Sequence, residues 1–306
     1  MIRKLLLTIA TTFGIFTATE AQHFQSVINP TIPQSIEFAG STYSFDRIDM
    51  YERLDRELTS MCYTHGNTLL TLKRANRYFP ELLPLLRKNG IPDDIIYLCC
   101  IESNLNPKAY SPARAAGLWQ FIASTGKAYG LEINDYVDER YNTEKATNAA
   151  CRMLKKLYDE YGNWESAFAA YNGGPNKITR ELEAQNESSA LDLYLIEETS
   201  RYMFRAFAMK CILENPRAYG FNLKPEQFYT PIEYDVVEVS KPIANWADWA
   251  NNHGISYAEL REANLWIRAK ELPNKLGKTY RVRIPKKKSL NRSTAANPIY
   301  RQEWFK

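Results

Sequence analysis

Apolar and polar positions alternate differently in successive parts of this chain. Leu5 to Phe16 is a predominantly apolar run behind Arg3 and Lys4, with small residues leading to a cut site after Ala21. This is the pattern of a cleaved secretory signal over residues 1–21, and the run is shorter than the ~20 residues needed to span a bilayer. Residues 22–44 carry Pro30 and Pro33 and no sustained period, and read as an extended lead-in. From 45 to 219 the period is helical. Ile48, Tyr51, Leu54 and Leu58 share a face interrupted by Asp55, and Leu69, Leu72, Leu82, Leu83, Leu85 and Leu86 continue until Asn89-Gly90. Ala146, Ala149, Ala150, Met153, Leu154, Leu157 and Tyr161 form the clearest amphipathic stripe, ended by Gly162. Shorter helices are predicted over 125–129, capped by Ser124, and over 164–171, and a long one over 191–214. No strong strand pattern lies between 45 and 215, so this part is mainly α.

The pattern changes after Tyr219. Pro225 and Pro231 mark a linker over 220–232, and 233–286 then reads β-α-α-β: strands 234–239 and 280–284 enclose helices 246–253 and 257–263. Residues 287–306 read as a basic, polar, solvated tail in which the lysine run solubilises. The expectation is a mainly α domain followed by a small α+β domain.

One acid breaks the apolar pattern. Pro92, Asp93 and Asp94 suit the start of a helix running towards Asn104, on which Ile95, Leu98, Cys99 and Glu102 follow the i, i+3, i+4, i+7 spacing. Glu102 therefore falls on the apolar stripe near the negative helix end. Burial and the helix dipole there both favour the protonated carboxyl, which is what a general acid requires. The plainer alternatives are that Glu102 turns to solvent or pairs with a cation such as Arg114.

Composition narrows the chemistry. A net charge of +4, from 39 basic and 35 acidic residues, argues against a dedicated nucleic-acid binder. The five cysteines show no metal-ligand spacing, and Cys99 and Cys100, adjacent on a helix, are badly placed to pair; they read as small apolar core residues. With histidine only at 23, 65 and 253, neither a zinc site nor a Ser/His/Asp triad has material, and Phe121 and Ala128 spoil a phosphate loop around Gly126-Lys127. No cofactor and no metal are expected.

Three polar clusters remain: Glu102-Ser103 with Ser111, Gly117 to Phe121 (GLWQF), and Ala170-Tyr171-Asn172. With Asp138-Glu139-Arg140 and the run Glu198 to Tyr202, their order and spacing resemble the lytic transglycosylases of the soluble-transglycosylase type, over about 67–220. That resemblance implies a lysozyme-like helical fold, Glu102 as catalytic acid, and Ser111, Gln120, Tyr171, Asn172 and Tyr202 as residues lining the cleft and holding sugar. It also implies peptidoglycan glycan strands as substrate, while the signal segment predicts an exported protein of the bacterial periplasm or envelope with no transmembrane span in its mature form. An ordinary glycosidase needs two carboxylates, and only one acid lies in a motif here. One is enough when the C6 hydroxyl of N-acetylmuramic acid attacks its own C1. Trp119 is open to a core or a sugar-stacking role, and Gly117 to a close backbone approach.

Residues 233–286 resemble a divergent LysM module, a glycan-binding family, through Tyr234-Asp235-Val236-Val237, Trp249-Ala250, Leu260, Asn264 and Ile284-Pro285. Lys241 to Asn245 replaces the Gly-Asp-Thr that usually follows the first strand. Glycan binding and simple packing against the helical domain both stay open.

Overall fold

The computed structural model describes residues 29–305. The signal segment 1–21 lies outside the described residues, as do the first part of the lead-in and Lys306.

The rest of the lead-in is a hairpin, not an extended strap. β1 (Ser35–Phe38) pairs antiparallel with β2 (Ser41–Ser44) across Ala39-Gly40, both at positive φ as a two-residue turn requires. Phe38, Tyr43 and the following Phe45 place their rings 5.4, 4.8 and 5.9 Å from that of Phe207. The alternation that would have revealed it spans only four residues per strand, too short for a period to stand out.

Helices α1 (Ile48–Tyr63), α2 (His65–Lys88), α3 (Ile96–Ser103), α4 (Ala123–Ala128), α5 (Thr143–Tyr161), α6 (Trp164–Gly173), α7 (Pro175–Gln185) and α8 (Glu197–Glu214) build the larger domain. α8 is buried nearly all round, through Tyr202, Met203, Phe204, Ala206, Phe207, Ala208, Met209, Ile212 and Leu213, and packs against α1, α3 and α6. It starts six residues later than the sequence pattern predicts. The backbone at Ala190 and Leu191 is satisfied instead by the Ser166 and Ser189 hydroxyls, at 3.0 and 3.2 Å, so helix is not needed there. Ser124 does not cap α4, which opens at Ile122 without a side-chain cap. α7 buries only Ile178 and so shows no apolar stripe, yet Gly174 followed by Pro175 at its first turn is a start signal.

In the smaller domain β3 (Tyr234–Val239) pairs antiparallel with β4 (Tyr280–Pro285), and α9 (Trp246–Asn252) and α10 (Tyr257–Ala263) lie between them in sequence. Ser256 and Glu259 form a reciprocal capping box at α10. A mainly helical domain followed by a small α+β domain is thus the architecture.

The tail is a correction. After the short helix α11 (Lys287–Leu290) the chain returns to the helical domain instead of staying solvated. Trp304 is fully buried, donates from Nε1 to Leu213 O at 2.6 Å and stacks on Phe228 at 5.6 Å. Tyr300 N donates to Asn76 Oδ1 at 2.8 Å. The polar composition of 287–297 concealed the apolar anchors behind it.

Candidate active site

The segment expected as one helix from Pro92 is a 3-10 turn, Asp93–Ile95, followed by α3. Seven of the eight residues of α3 are buried, and Glu102 is the exception, half-buried where the helix meets an open cleft. Asn104 and Leu105 both take left-handed backbone, φ 50° and 53°, and turn the chain sharply away. Among the described residues Glu102 forms no ion pair. Arg114 is exposed, and its carbonyl is engaged elsewhere.

The next wall of the cleft is the loop 109–121. Ala116 bridges to Tyr110 on one side and Phe121 on the other, and Gly117 N donates to Ala109 O at 2.9 Å. Gly117 has φ 77°, and a Cβ there would lie 2.0 Å from Arg140 O, so only glycine allows this approach. Arg140, buried and paired with Asp138 at 2.7 Å, donates to Arg114 O at 2.8 Å and Phe121 O at 3.1 Å. Within the loop, Ser111 Oγ accepts from Ala115 N at 3.1 Å. Gln120, itself at φ 49°, donates from Nε2 to Gly117 O at 2.8 Å, and its amide oxygen meets no partner among the described residues.

α6 supplies Tyr171 and Asn172. Tyr171 donates its hydroxyl to Trp119 O at 2.7 Å, which leaves its ring for the cleft. Asn172 Oδ1 accepts from Thr199 Oγ1 at 3.0 Å, and its Nδ2 has no partner among the described residues. Trp119 is fully buried and donates to Thr147 Oγ1 at 2.9 Å, which decides its role as core. From α8, Tyr202 donates its hydroxyl to Glu102 Oε1. Glu102, Ser111, Gln120, Tyr171, Asn172 and Tyr202 therefore share one open cleft of about 890 Å³.

Residues 85–193 match the Transglycosylase SLT domain family, and 235–288 match the Soluble lytic transglycosylase C-terminal LysM-like domain. The chain carries an SLT transglycosylase domain followed by a LysM-like domain. Over 255 residues it is 31% identical to the Membrane-bound lytic murein transglycosylase D of Escherichia coli strain K12, covering 81% of this chain and 54% of that protein. It thus spans about half the length of this curated relative. A shorter stretch of 119 residues, 38% of this chain and 9% of the relative, is 34% identical to Peptidoglycan transglycosylase gp16 of Escherichia phage T7. Among solved structures, the 70 kDa soluble lytic transglycosylase of Escherichia coli aligns over 45% of this chain and 24% of its own, with TM-score 0.40 and 23% identity.

Within the SLT domain the electrostatics centre on Glu102. Burial pushes its carboxyl up from an ordinary 4.5 to about 7. The Tyr202 hydroxyl and the Arg205 charge oppose that rise, and the Glu198 charge assists it. Tyr171 and Tyr202 are pushed well above the usual phenol range, first by burial and then by Glu102, so both remain donors. Among the described residues no cluster of three or more His, Cys, Asp or Glu could hold a metal ion.

Sequence reasoning used Glu198 and Thr199 only as part of a motif, with no role at the site, and passed over Arg205. Glu198 and Arg205 line the cleft, and Thr199 sets Asn172 from behind. A signal existed: Glu198, Tyr202 and Arg205 stand at i, i+4 and i+7 on α8, so they present one face together.

Proposed function

We propose that this chain is a peptidoglycan lytic transglycosylase, which cleaves the β-1,4 bond between N-acetylmuramic acid and N-acetylglucosamine and leaves 1,6-anhydro ends. The observation that carries this reading is a carboxyl held near pKa 7 in an open cleft, hydrogen-bonded by a tyrosine and, among the described residues, in no ion pair. A group poised there serves as acid and then as base at neutral pH.

In the reaction, protonated Glu102 gives its proton to the glycosidic oxygen as the C1–O bond breaks. The muramic acid C6 hydroxyl then bonds to C1, and its proton returns to Glu102. No water is consumed. The intramolecular attack gains from proximity, up to roughly 7–11 kcal/mol in the best cases. The sugar's 2-acetamido group stabilises the positive charge between the two events. Asn172 Nδ2 offers a free donor and Gln120 Oε1 a free acceptor, the pair that an acetamide's C=O and N–H require. The Ser111 hydroxyl, which accepts from Ala115, keeps its own proton for a ring oxygen. Tyr171 presents its ring to a sugar face, and Tyr202 acts through Glu102. Peptidoglycan lies outside the cytoplasmic membrane, so the site of action is the cell envelope. Among the described residues no helix is long and apolar enough to cross a membrane.

One observation favours a second reading. Glu198 lines the same cleft, and a second carboxylate would let water act as nucleophile, giving a lysozyme-type muramidase. Digestion of purified glycan strands followed by mass spectrometry separates the two. Products lighter by one water, retained in Glu198→Gln, are expected; hydrated ends that disappear in Glu198→Gln would establish the muramidase.

A further inference from the structure

The LysM-like domain is not tethered loosely. Residues 132–140 of the SLT domain fold back on themselves through the Ile133–Asp138 bridge, and residues 266–268 of the LysM-like domain pair along their outer edge. Asp138 N donates to Trp266 O at 2.9 Å, Arg268 N donates to Tyr136 O at 2.8 Å, and Val137 bridges Ile267. Without that partner this edge would carry unpaired backbone groups. Val137, 1% exposed, belongs to the apolar cluster of the LysM-like domain with Trp246, Leu260 and Ile267. Glu132, at the start of the same segment, accepts from Lys278 Nζ at 3.0 Å and from the Tyr280 hydroxyl at 3.1 Å.

One aromatic pair of this domain lies on the same seam. Trp266 and Tyr280 stack at 5.5 Å, are 3% and 4% exposed, and Lys145 of α5 lies 5.9 Å from the Tyr280 ring centre. Little of either ring is left exposed. Two residues past Val137, the chain enters the turn that places Arg140, whose carbonyl lies against Gly117 and whose guanidinium holds Arg114 O and Phe121 O. A continuous set of backbone and Arg140 side-chain contacts therefore joins the LysM-like domain to the loop that bears Ser111 and Gln120.

We propose that the LysM-like domain is a brace for the active-site loop: pairing with 136–138 fixes Arg140, and Arg140 fixes the backbone that sets Ser111 and Gln120. Val137, Asp138 and Arg140 are positioning residues in this scheme and touch no substrate. The brace does not depend on the reaction, while its effect on turnover rests on the transglycosylase reading.

The test uses the full chain carrying Val137→Asp, with Val137→Ala in its place if the charged variant does not fold, and Val137→Ile as the conservative control. Hydrogen exchange is followed by residue, and glycan-strand cleavage is followed as kcat, KM and pH profile. The brace predicts that the Ala116 and Gly117 amides, which donate to Phe121 O and Ala109 O, exchange about tenfold faster while α5 and α6 are unaltered. It also predicts that KM rises about tenfold with the alkaline limb set by Glu102 unmoved, and that Val137→Ile restores both readouts. Faster exchange confined to 233–286, with Ala116, Gly117 and KM as in the parent chain, would overturn it. Faster loop exchange in a protein that never cleaves glycan would uphold the brace and remove only the reaction.

Discussion

The cleft and the seam beneath the C-terminal residues treat polar groups in opposite ways. Along the seam charges are matched: Glu81 with Arg283, Glu132 with Lys278, Glu144 with Arg281, Lys108 with Glu262. The exposed backbone edge is covered as well. In the cleft, among the described residues, Asn172 Nδ2 and Gln120 Oε1 lack partners, and Glu102 has a tyrosine but no cation. Buried polar groups are ordinarily satisfied, so what the cleft leaves open is what a ligand would fill. At the seam these charges already have partners within the chain. The same chain thus holds together where its hydrogen bonds close and acts where they do not.

The sharpest way to break this contrast is Glu102→Gln, which is expected to lower glycan cleavage by ~10²–10⁴-fold, the usual worth of a general acid. Stability should move the other way. Because the folded carboxyl titrates at about 7 against an ordinary 4.5, the unfolded chain releases its proton first as pH rises. Stability therefore falls between those values, and above them the carboxylate costs ~2–3 kcal/mol after allowance for partial exposure. Denaturant titrations should show Glu102→Gln more stable than the parent at pH 8 and equal to it at pH 4. Equal stability at both would mean that Glu102 is not held protonated by the fold.

Trp304→Ala addresses a third place, where the tail closes on the helical domain as the seam does. It empties a fully buried site and strands Leu213 O, and should cost ~3–5 kcal/mol in unfolding free energy with kcat unchanged at temperatures where the protein is folded. A loss of kcat without a loss of stability would erase the division drawn above.

Tyr202→Phe sharpens it within the cleft. Removing a donor to the carboxylate raises the Glu102 pKa further, so the alkaline limb of kcat/KM should move up by about one unit. A limb that moves down would reverse the assigned role of that hydroxyl. The smallest effect is expected for Thr199→Val, which frees Asn172 to rotate and should raise KM about fivefold, ~1 kcal/mol, with the pH profile in place.

Much of this was legible in the sequence. The 3.6 period of α5, the stop at Gly162, and the β-α-α-β order after residue 232 are local facts, set by neighbours within a few residues. The acid on an otherwise apolar α3 and the glycine against Arg140 could be read as exceptions to local rules, and both stand in the cleft wall. The hairpin at 35–44 and the Trp304 anchor could not, because four-residue strands and single aromatics show no period.

What the sequence determined by itself was therefore the helical framework, the second domain and the odd acid, all fixed by spacing along the chain. Tertiary structure alone decided that Trp119 is core, that Tyr202 serves Glu102, that Glu198 and Arg205 share the cleft, and that the LysM-like domain closes on residues 136–138. Each depends on a partner 28 to 148 residues away, such as Thr147 for Trp119 or Tyr280 for Glu132. The free energy of such contacts is set by which surfaces meet, a quantity that no local pattern encodes.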